Sequence, residues 1–419
     1  MPLKRNEYNN IILDSARREI GIIIGPRQVG KTTILKEIKK YCKGKRLRHN
    51  YFDLEMPLDA NFFARNFDEI LADIGRLRKM VLIDEFHYLL NATKLFKSIY
   101  DGYKNIKIYA SGSSAIEMHK HLKESLAGRR RLYRIYPLSF KEWLPSKTQT
   151  IRLPENIEAK LSAKDHKKLH RYLNEFIVFG GMPGLTHERD TDSKKRLLLD
   201  IVATYIQKDV KALLREEDIL SFNRLLTMLA SLEGNLLSEN SLSNDLNYSL
   251  RQVRKDLSIL SQMFLLDIVK PFFSNRGREL KQVNKIYFFD SGIRNAILKD
   301  FRNLNERNDK GALLESFAFH EIQKHLKTAQ DIYYWRTRQK DEVDFILVQD
   351  RTPIAVEVKS TVTKEEIPEG IKRFSAMYPE CKTAVVLNNN LLSIKQYKNI
   401  KVYFLPHYYA SIIPDLFSR

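Results

Sequence analysis

Cysteine and long apolar runs are both scarce in this sequence. The two cysteines, Cys42 and Cys381, are far apart and match no metal-ligand spacing, so we expect neither a disulfide framework nor a zinc site. No apolar run approaches the length that crosses a bilayer, and the first ten residues are polar and unlike a signal peptide. These absences predict a cytoplasmic protein in a reducing compartment, without a membrane partner.

Acidic residues are the less frequent charged class. The chain has 71 Lys and Arg against 51 Asp and Glu, which gives a net charge of +20. Such an excess predicts a polyanionic partner such as DNA, RNA or an anionic membrane surface, and charge alone does not choose among them. At 419 residues with 43% hydrophobic content, the chain is expected to form roughly two to four folded domains.

The strongest motif is an apolar strand that runs into a glycine-containing loop and a helix. Gly25, Gly30, Lys31 and Thr32 fill the pattern G-x-x-x-x-G-K-[ST], which is typical of a phosphate-binding loop. The glycines let the backbone approach a polyphosphate, Lys31 would reach the β and γ phosphates, and Thr32 would hold Mg²⁺. The expected nucleotide contacts are Gly25, Pro26, Arg27, Gln28, Val29, Gly30, Lys31, Thr32 and Thr33.

A second apolar run, residues 80–83, ends in Asp84 and Glu85. In a doubly wound parallel sheet, ligands bind at the carboxyl ends of the strands, so these acids would lie beside the loop. Asp84 would hold the Mg²⁺ shell through water, and Glu85 would orient or deprotonate the attacking water. An ordinary strand end is the alternative, but the upstream loop favours catalysis. The guanine-recognition pattern N-K-x-D is absent, which argues against a GTPase, so ATP is the expected nucleotide. A small-molecule kinase is a further alternative, but it would not need the domains that follow.

Two further residues are candidates for the same site. A predicted strand at 106–110 precedes a Ser- and Gly-rich segment, in which Ser113 could contact the γ phosphate, although such residues also form turns. Arg129 lies in a basic segment and could neutralise charge in the transition state, in its own subunit or across an oligomer interface. A solvated basic turn is the equally open alternative.

The middle of the chain shows two patterns. Residues 141–217 are charged and helix-rich without a clear strand, which predicts a helical lid over the nucleotide. Residues 218–300 then alternate three helical patterns with two apolar strands joined by a basic loop, which predicts a winged helix. Arg251, Gln252 and Arg254 could contact base edges, with arginines of the basic loop on phosphate, or the module could serve only for packing.

Past residue 301, a helix carrying Glu315 precedes strands carrying Asp344 and the Glu357-x-Lys359 pair. This arrangement resembles the PD-(D/E)xK nuclease fold, whose core order is α-β-β-β-α-β. The resemblance implies that Asp344, Glu357 and the Val358 carbonyl bind Mg²⁺, that Glu315 supports the metal, and that Lys359 positions the attacking water. Such domains also persist as DNA-binding or partner-binding modules that cut nothing.

The segments GPRQVGKTT, VLIDEFH, ASGSS and LAGRR, followed by YPLSF, resemble the ATPase domain of a large bacterial and archaeal AAA-type family. The C-terminal half of that family carries a conserved domain of the DUF4143 type. The resemblance extends through residues 179–183 and 205–210. Relatives of this kind are similar to AAA+ and signal-transduction ATPases with a G-x-P element near the nucleotide, which implies that Pro183 lies near ATP. A second-sensor arginine of the G-x-R kind is not evident.

Together these patterns predict an α/β chain with four segments: a P-loop ATPase domain (1–140), a helical lid (141–217), a winged helix (218–300) and a nuclease-like domain (301–419). The predicted activity is Mg²⁺-dependent ATP hydrolysis coupled to DNA, with metal-dependent DNA cleavage as a further option. The alternative is a regulatory switch ATPase whose C-terminal segments bind a protein partner. A homo-oligomer is compatible with either.

Overall fold

The computed structural model describes residues 5–77, 79–89, 91–112, 126–204, 219–273 and 283–418. They form two compact units. The first consists of Met1–Leu138 with Ser258–Leu265, and the second of Ser139–Leu257 with Leu266–Arg419. The four segments predicted from the sequence divide the chain more finely than this, and their boundaries stay a prediction. No helix within the described ranges is long and apolar enough to span a bilayer.

The first unit is built on a five-stranded parallel sheet, as the α/β prediction requires. Its strand order is β2-β3-β4-β1-β5. The strands are β1 (Ile20–Ile24), β2 (His49–Asp53), β3 (Met80–Asp84), β4 (Lys107–Gly112) and β5 (Arg130–Arg134). The helices are α1 (Asn6–Leu13), α2 (Lys31–Gly44), α3 (Pro57–Phe63), α4 (Phe67–Leu77) and α5 (Ala92–Gly102).

The central strands of this sheet are buried along their whole length. Every residue of β1, β3 and β4 is buried, which is why these strands read as continuous apolar runs rather than as alternating ones. Close packing also explains Gly21 in β1, because a Cβ there would lie 2.3 Å from the ring of Tyr109 on β4. The parallel arrangement brings the carboxyl ends of all five strands to one edge of the sheet.

The second unit begins with helices. Between residues 139 and 204 the chain forms α6 (Phe140–Trp143), α7 (Ala163–Phe179) and α8 (Thr191–Thr204), and no strand. The predicted helical character of this stretch is therefore confirmed up to residue 204, while the predicted helical residues Tyr205 and Ile206 lie outside the described ranges.

Next come four helices and a small antiparallel sheet of order β6-β8-β7. The predicted helices and strands of residues 222–289 are present, with bounds shifted by up to three residues. The predicted basic loop, including Arg276 and Arg278, lies outside the described ranges. The elements are α9 (Ile219–Ser231), β6 (Leu236–Leu237), α10 (Glu239–Leu246), α11 (Leu250–Gln262), β7 (Leu266–Val269), β8 (Asn284–Phe288) and α12 (Ser291–Leu298).

The C-terminal part contains a mixed six-stranded sheet of order β13-β14-β12-β11-β10-β9. Its first elements follow the predicted order α-β-β-β-α-β. A buried apolar cluster that includes Trp335, Ile346 and Phe374 forms part of its core. The elements are α13 (Lys310–His325), β9 (Gln330–Arg336), β10 (Glu342–Gln349), β11 (Thr352–Val358), α14 (Glu369–Met377), β12 (Thr383–Asn388), β13 (Ser393–Tyr397) and β14 (Ile400–Pro406).

Candidate functional site

The loop between β1 and α2 has a backbone that requires glycine at both ends of the motif. Gly25 has φ +153°, and a Cβ there would lie 2.2 Å from the carbonyl oxygen of Ile135. Gly30 has φ +96° and directly precedes the first residue of α2. Both values lie in the region that side chains rarely adopt, which is the physical reason for the two glycines. The loop therefore ends at the positive end of a fourteen-residue helix.

Lys31 is buried at the start of α2 and turns back over the loop. Its ammonium donates hydrogen bonds to the carbonyl oxygens of Gly25, at 3.0 Å, and Pro26, at 2.8 Å. Thr32 is half-buried beside it in the first helical turn. The lysine and the helix end thus lie at the same loop, as the motif predicts.

An arginine that the motif does not include also contacts this loop. The guanidinium of Arg5 donates to the carbonyl oxygen of Val29 at 2.8 Å and to that of Tyr136 at 2.5 Å. It therefore ties the loop to the segment that follows β5. No sequence signal identified Arg5, because its partners are backbone carbonyls more than twenty residues away.

Asp84 is a buried carboxylate at the carboxyl end of β3. It is only 1% exposed, and it accepts hydrogen bonds from the Tyr51 hydroxyl on β2, at 3.0 Å, and from the Ser111 hydroxyl on β4. Burial raises the pKa of Tyr51, and the neighbouring Asp84 raises it further, so the phenol stays a donor. Ser111 is the described hydroxyl at the β4 end, while the predicted Ser113 lies outside the described ranges.

Glu85 follows β3 in a left-handed backbone conformation, with φ +53°. This region is uncommon for a residue other than glycine and costs on the order of 1 kcal/mol or more. One carboxylate oxygen lies 3.1 Å from Nδ1 of His87, and the side chain is 18% exposed. A strained, partly accessible acid thus follows a fully buried one at the end of β3, and the catalytic roles of the pair stay a prediction.

Arg129 does not lie near the nucleotide loop of its own chain. It precedes β5, whose first residue pairs with Ile20 at the amino end of β1, whereas the loop follows the carboxyl end. Since β1 has five residues of about 3.3 Å each, the two ends are roughly 16 Å apart. Arg129 instead forms two hydrogen bonds with Asp101, at 3.0 and 3.3 Å. A finger within the same subunit is therefore a wrong expectation, and a role across an oligomer interface stays a prediction.

Pro183 begins a short 3₁₀ segment of the second unit, and its predicted proximity to nucleotide stays a prediction. The glycines before it have a packing role. The backbone N–H of Gly181 donates to Oδ2 of Asp290 at 2.7 Å, and Oδ1 of the same aspartate accepts from Ile293 in α12 at 3.1 Å. A Cβ on Gly180, which has φ +76°, would lie 2.0 Å from that aspartate.

A second polar site lies in the second unit, where four carboxylates meet. We call Glu315, Glu342, Asp344 and Glu357 the acid cluster. Asp344, on β10, accepts a hydrogen bond at Oδ2 from the backbone N–H of Val358 at 2.7 Å. Glu357, on β11, forms an ion pair with Lys359 at 2.6 Å. The predicted helix and strands thus bring the predicted acids together.

A lysine that the sequence reasoning did not single out lies among these acids. Lys285, on β8, is 2% exposed, and its Nζ lies 2.9 Å from Glu315, 2.6 Å from Glu342 and 3.9 Å from Asp344. Tyr287, two residues along the strand, donates to Glu315 at 2.6 Å. The spacing of two residues between Lys285 and Tyr287 could have identified this site, because residues two apart in a strand lie on the same face.

Burial and neighbouring charges shift the pKa values within the acid cluster. Burial, and then the neighbouring Glu315, raises the pKa of Asp344 to about 7. Burial, and then Asp344, raises the pKa of Glu357 to about 7. Burial alone would lower the pKa of Lys285, but the surrounding carboxylates raise it above its usual value, so the lysine is charged.

This arrangement differs from the predicted metal site. Within the ranges that the structure describes, no group of three or more His, Cys, Asp or Glu side chains is arranged to hold a metal ion. Glu315 pairs with an ammonium rather than supporting a metal, and Asp344 has one oxygen committed to a backbone N–H. The side chains present therefore do not fit a divalent cation while Lys285 lies among them.

The residues predicted to contact base edges are partly engaged by other side chains of this segment. Gln252 donates to Asp256 at 2.9 and 3.1 Å, and Arg254 pairs with Glu239 at 2.7 Å. At the start of α11, Ser249 accepts a hydrogen bond from the Gln252 N–H, but the Gln252 side chain turns to Asp256 and does not complete a capping box. Arg251 is exposed.

A basic cleft of about 1180 Å³ lies at the amino ends of β2, β3 and β4, opposite the nucleotide loop on the same sheet. None of the described residues that line it is acidic. For Lys45, Arg48, Arg76, Lys79 and Lys104, which are exposed, no ion pair is found with another described residue. Its basic residues are Arg17, Arg18, Lys45, Arg48, Arg76, Lys79, Lys104 and Lys107.

Comparison with known protein families supports the prediction of an ATPase-like domain in the first unit. Residues 17–144 match the model of an AAA domain, so this segment is an AAA-type, P-loop ATPase-like domain. Residues 310–408 match a domain of unknown function, DUF4143, as the resemblance predicted. Residues 170–304 match another domain of unknown function, DUF8612, which the sequence reasoning did not anticipate.

Sequence similarity to other proteins covers most of the chain. An uncharacterised protein of Mycobacterium tuberculosis is 27% identical over 350 residues, which cover 83% of this chain and 71% of that protein. An uncharacterised protein of Methanocaldococcus jannaschii is 26% identical over 360 residues, covering 83% and 77%. The Aeropyrum pernix Orc1 protein in complex with DNA aligns with a TM-score of 0.31 and 11% identity, over 72% of this chain and 93% of that chain. At that score the alignment supports no inference.

Proposed function

We propose that this protein binds Mg²⁺-ATP at the loop of its first unit and hydrolyses it. The observation that carries the proposal is the common location of Lys31, Asp84 and Glu85 at the carboxyl edge of one parallel sheet. A phosphate-binding helix end, a buried carboxylate and a partly accessible carboxylate are the groups that phosphoryl transfer to water requires.

Each residue has a distinct proposed role. Lys31 would bind the β and γ phosphates together with the loop N–H groups, while Thr32 and Asp84 would hold Mg²⁺, which neutralises charge on the phosphates when bound. Glu85 would accept a proton from the attacking water. The hydroxyls of Tyr51 and Ser111 support Asp84 by fixing its orientation.

Glu85→Gln separates binding from hydrolysis. We expect it to lower the rate of phosphate release by about 10²-fold or more, because the proton acceptor is lost, and to leave ATP affinity within a few-fold. Lys31→Ala should weaken binding of a fluorescent ATP analogue instead. Glu55→Gln, an equivalent change at an exposed acid after β2, is the matched control. Equal hydrolysis by wild type and Glu85→Gln would refute the proposal.

We further propose that the chain associates with DNA through the basic cleft. The net charge of +20 supports a phosphate backbone as the ligand, and so does the cleft, whose described lining includes eight basic residues and no acid. The proposed winged helix, residues 219–288, would add the exposed Arg251. Its support is the order of three helices and a three-stranded sheet.

Charge reversal tests the cleft. The triple variant Arg48→Glu, Lys79→Glu, Lys104→Glu should weaken binding to duplex DNA at least ~10-fold and reduce the salt slope of log Kd by about 3. The control reverses three exposed lysines of the second unit, Lys160, Lys164 and Lys167, and so has the same change of net charge. Fluorescence anisotropy at several salt concentrations measures both. Equal weakening in the control would refute a specific cleft.

For residues 310–406 we propose a PD-(D/E)xK-like architecture without proposing cleavage. The element order and the meeting of Asp344, Glu357 and Lys359 support the architecture. The poor fit to a divalent cation speaks against metal-dependent cutting. If DNA leaves ATP hydrolysis unchanged, the proposal gives way to a switch ATPase with a protein partner, in which homo-oligomer formation is one option.

A further inference from the structure

The acid cluster contains one cation at the position where several carboxylates converge. The ammonium of Lys285 lies within 3.0 Å of carboxylate oxygens from Glu315 and Glu342, and 3.9 Å from Asp344. These acids come from α13 and β10, and the lysine comes from β8. An ion pair usually joins two side chains, so the convergence of three acids on one buried ammonium needs a separate explanation.

Four carboxylates face three neighbouring cations, so full ionisation of the acid cluster would leave a net negative charge. The four acids are matched by Lys285, by Lys359 on Glu357, and by Arg336, 3.2 Å from Glu342. Glu357 is only 6% exposed, and its Oε2 has no hydrogen-bond partner among the described residues. This oxygen is therefore a candidate ligand for a cation. A buried carboxylate oxygen without a partner is costly, and a hard cation is the ligand it prefers.

We propose that Lys285 is a resident cation that holds the acid cluster in a metal-free state. Its ammonium supplies the positive charge that Glu315 and Asp344 would otherwise obtain from a divalent ion. Replacing the ammonium by an uncharged group of similar length exposes these carboxylates and the unpartnered oxygen of Glu357 to solvent cations. The native chain therefore binds no divalent metal at the cluster, and Lys285→Met creates a site for Mn²⁺ or Mg²⁺.

The proposal follows from the balance of charge and geometry. An ammonium is a compact point charge with three donors, so it can satisfy several carboxylates at once without the fixed geometry of a guanidinium. Removing one buried partner of such a group leaves the other charges uncompensated. In Lys285→Met, a divalent cation bound by oxygen ligands is the ready means of compensation.

Mn²⁺ binding to the full chain tests the proposal. Wild type, Lys285→Met, Asp344→Asn and Lys285→Met/Asp344→Asn are freed of metal and nucleotide, then titrated with Mn²⁺ while free ion is followed by electron paramagnetic resonance. We expect Lys285→Met to bind one Mn²⁺ per chain at least ~10-fold more tightly than wild type, and Asp344→Asn to abolish that gain. Thermal melting adds a second readout, because Mn²⁺ should raise the Tm of Lys285→Met and not of wild type.

Two results would overturn the proposal. One is a folded Lys285→Met chain whose Mn²⁺ affinity equals that of wild type. The other is Mn²⁺ binding by wild type that Asp344→Asn removes, which would mean that the native cluster already holds metal. The second comparison needs only wild type and Asp344→Asn, so it decides the matter even if Lys285→Met fails to fold, and wild-type binding unaffected by Asp344→Asn supports the resident cation.

Discussion

At the scale of single residues, the buried carboxylate Asp84 depends on two hydroxyls from neighbouring strands. Ser111 donates from β4 and Tyr51 from β2, so the acid is fixed from both sides. A hydrogen bond to a charged group contributes about 1.5–3 kcal/mol, and small displacements of a catalytic group are expensive in rate.

Ser111→Ala is therefore expected to lower the turnover of ATP by about 10-fold while nucleotide affinity changes by less than about threefold. The physical reason is loss of orientation rather than of a phosphate contact. Steady-state kinetics over a range of ATP concentrations separates the two parameters. Conservative Ser111→Thr, which keeps the hydroxyl, should recover part of the turnover. A change in affinity with intact turnover would contradict the assigned role.

Glu233 gives a prediction about pH. It is 1% exposed and accepts hydrogen bonds from Ser316 and from the Phe288 N–H, and burial raises its pKa from 4.5 to about 7. Because the folded chain holds this proton more tightly than the unfolded chain, the stability contributed is full below pH 4.5 and is lost as pH rises through 7. The loss reaches roughly 3 kcal/mol.

Glu233→Gln removes the titrating group, so its free energy of unfolding should fall less than that of wild type between pH 4.5 and 7. Thermal melting at intervals across this range measures the difference, and the exposed Glu380→Gln is the control for a change of charge. If the difference in free energy of unfolding between wild type and Glu233→Gln were constant with pH, the raised pKa of Glu233 in the folded chain would be refuted.

Residue identities within local motifs were predictable, and long-range partners were not. The loop glycines, Lys31 and Asp84 were identified because their spacing is fixed by the backbone conformation they form. Arg5 and Lys285 were missed because their partners lie far along the chain, at Val29, Tyr136 and Glu315. Arg129 was a candidate finger because it lies in a basic segment, whereas strand register puts it at the opposite end of the sheet from the nucleotide loop.

At the scale of elements, the junction between α7 and α12 depends on two glycines. Gly180 has φ +76°, and a Cβ on Gly292 would lie 1.9 Å from the carbonyl oxygen of Phe179. Asp290 bonds across the junction to the Gly181 N–H. The Gly-Gly-Met-Pro segment is thus explained by packing within the second unit, whatever its relation to the nucleotide.

Gly180→Ala should destabilise the chain by at least ~2 kcal/mol, because the added methyl meets a carboxylate and the backbone is in the left-handed region. Gly44→Ala is the matched control: it ends α2, no atom lies within 4 Å of its added Cβ, and a gain of up to about 1 kcal/mol is expected. Thermal or denaturant unfolding compares them. Equal stability of the two variants would contradict the account of the junction.

Element types were mostly predictable because their signals are local. Continuous apolar runs identified the buried parallel strands, and the resemblance to the PD-(D/E)xK fold implied the order α-β-β-β-α-β near the C terminus. The β13–β14 hairpin was not predicted. Residues 393–397 form an edge strand that carries lysine, glutamine and tyrosine, so the sequence there has no apolar run that indicates a strand.

At the scale of the whole molecule, the sheet of the first unit has a different chemistry at each edge. The carboxyl edge has the phosphate-binding loop and the two acids, and the amino edge has the basic cleft. A nucleotide and a nucleic-acid backbone can therefore bind the same sheet without competing. Coupling between the edges follows if DNA binding changes the strands that carry Asp84 and Ser111.

The most direct measurement is steady-state phosphate release by the full chain at saturating Mg²⁺-ATP, with and without duplex DNA, beside Glu85→Gln. The account predicts hydrolysis by wild type, an increase on adding DNA, and a loss of about 10²-fold or more in Glu85→Gln under both conditions. Hydrolysis that is absent from wild type in both conditions, or that persists unchanged in Glu85→Gln, would contradict it.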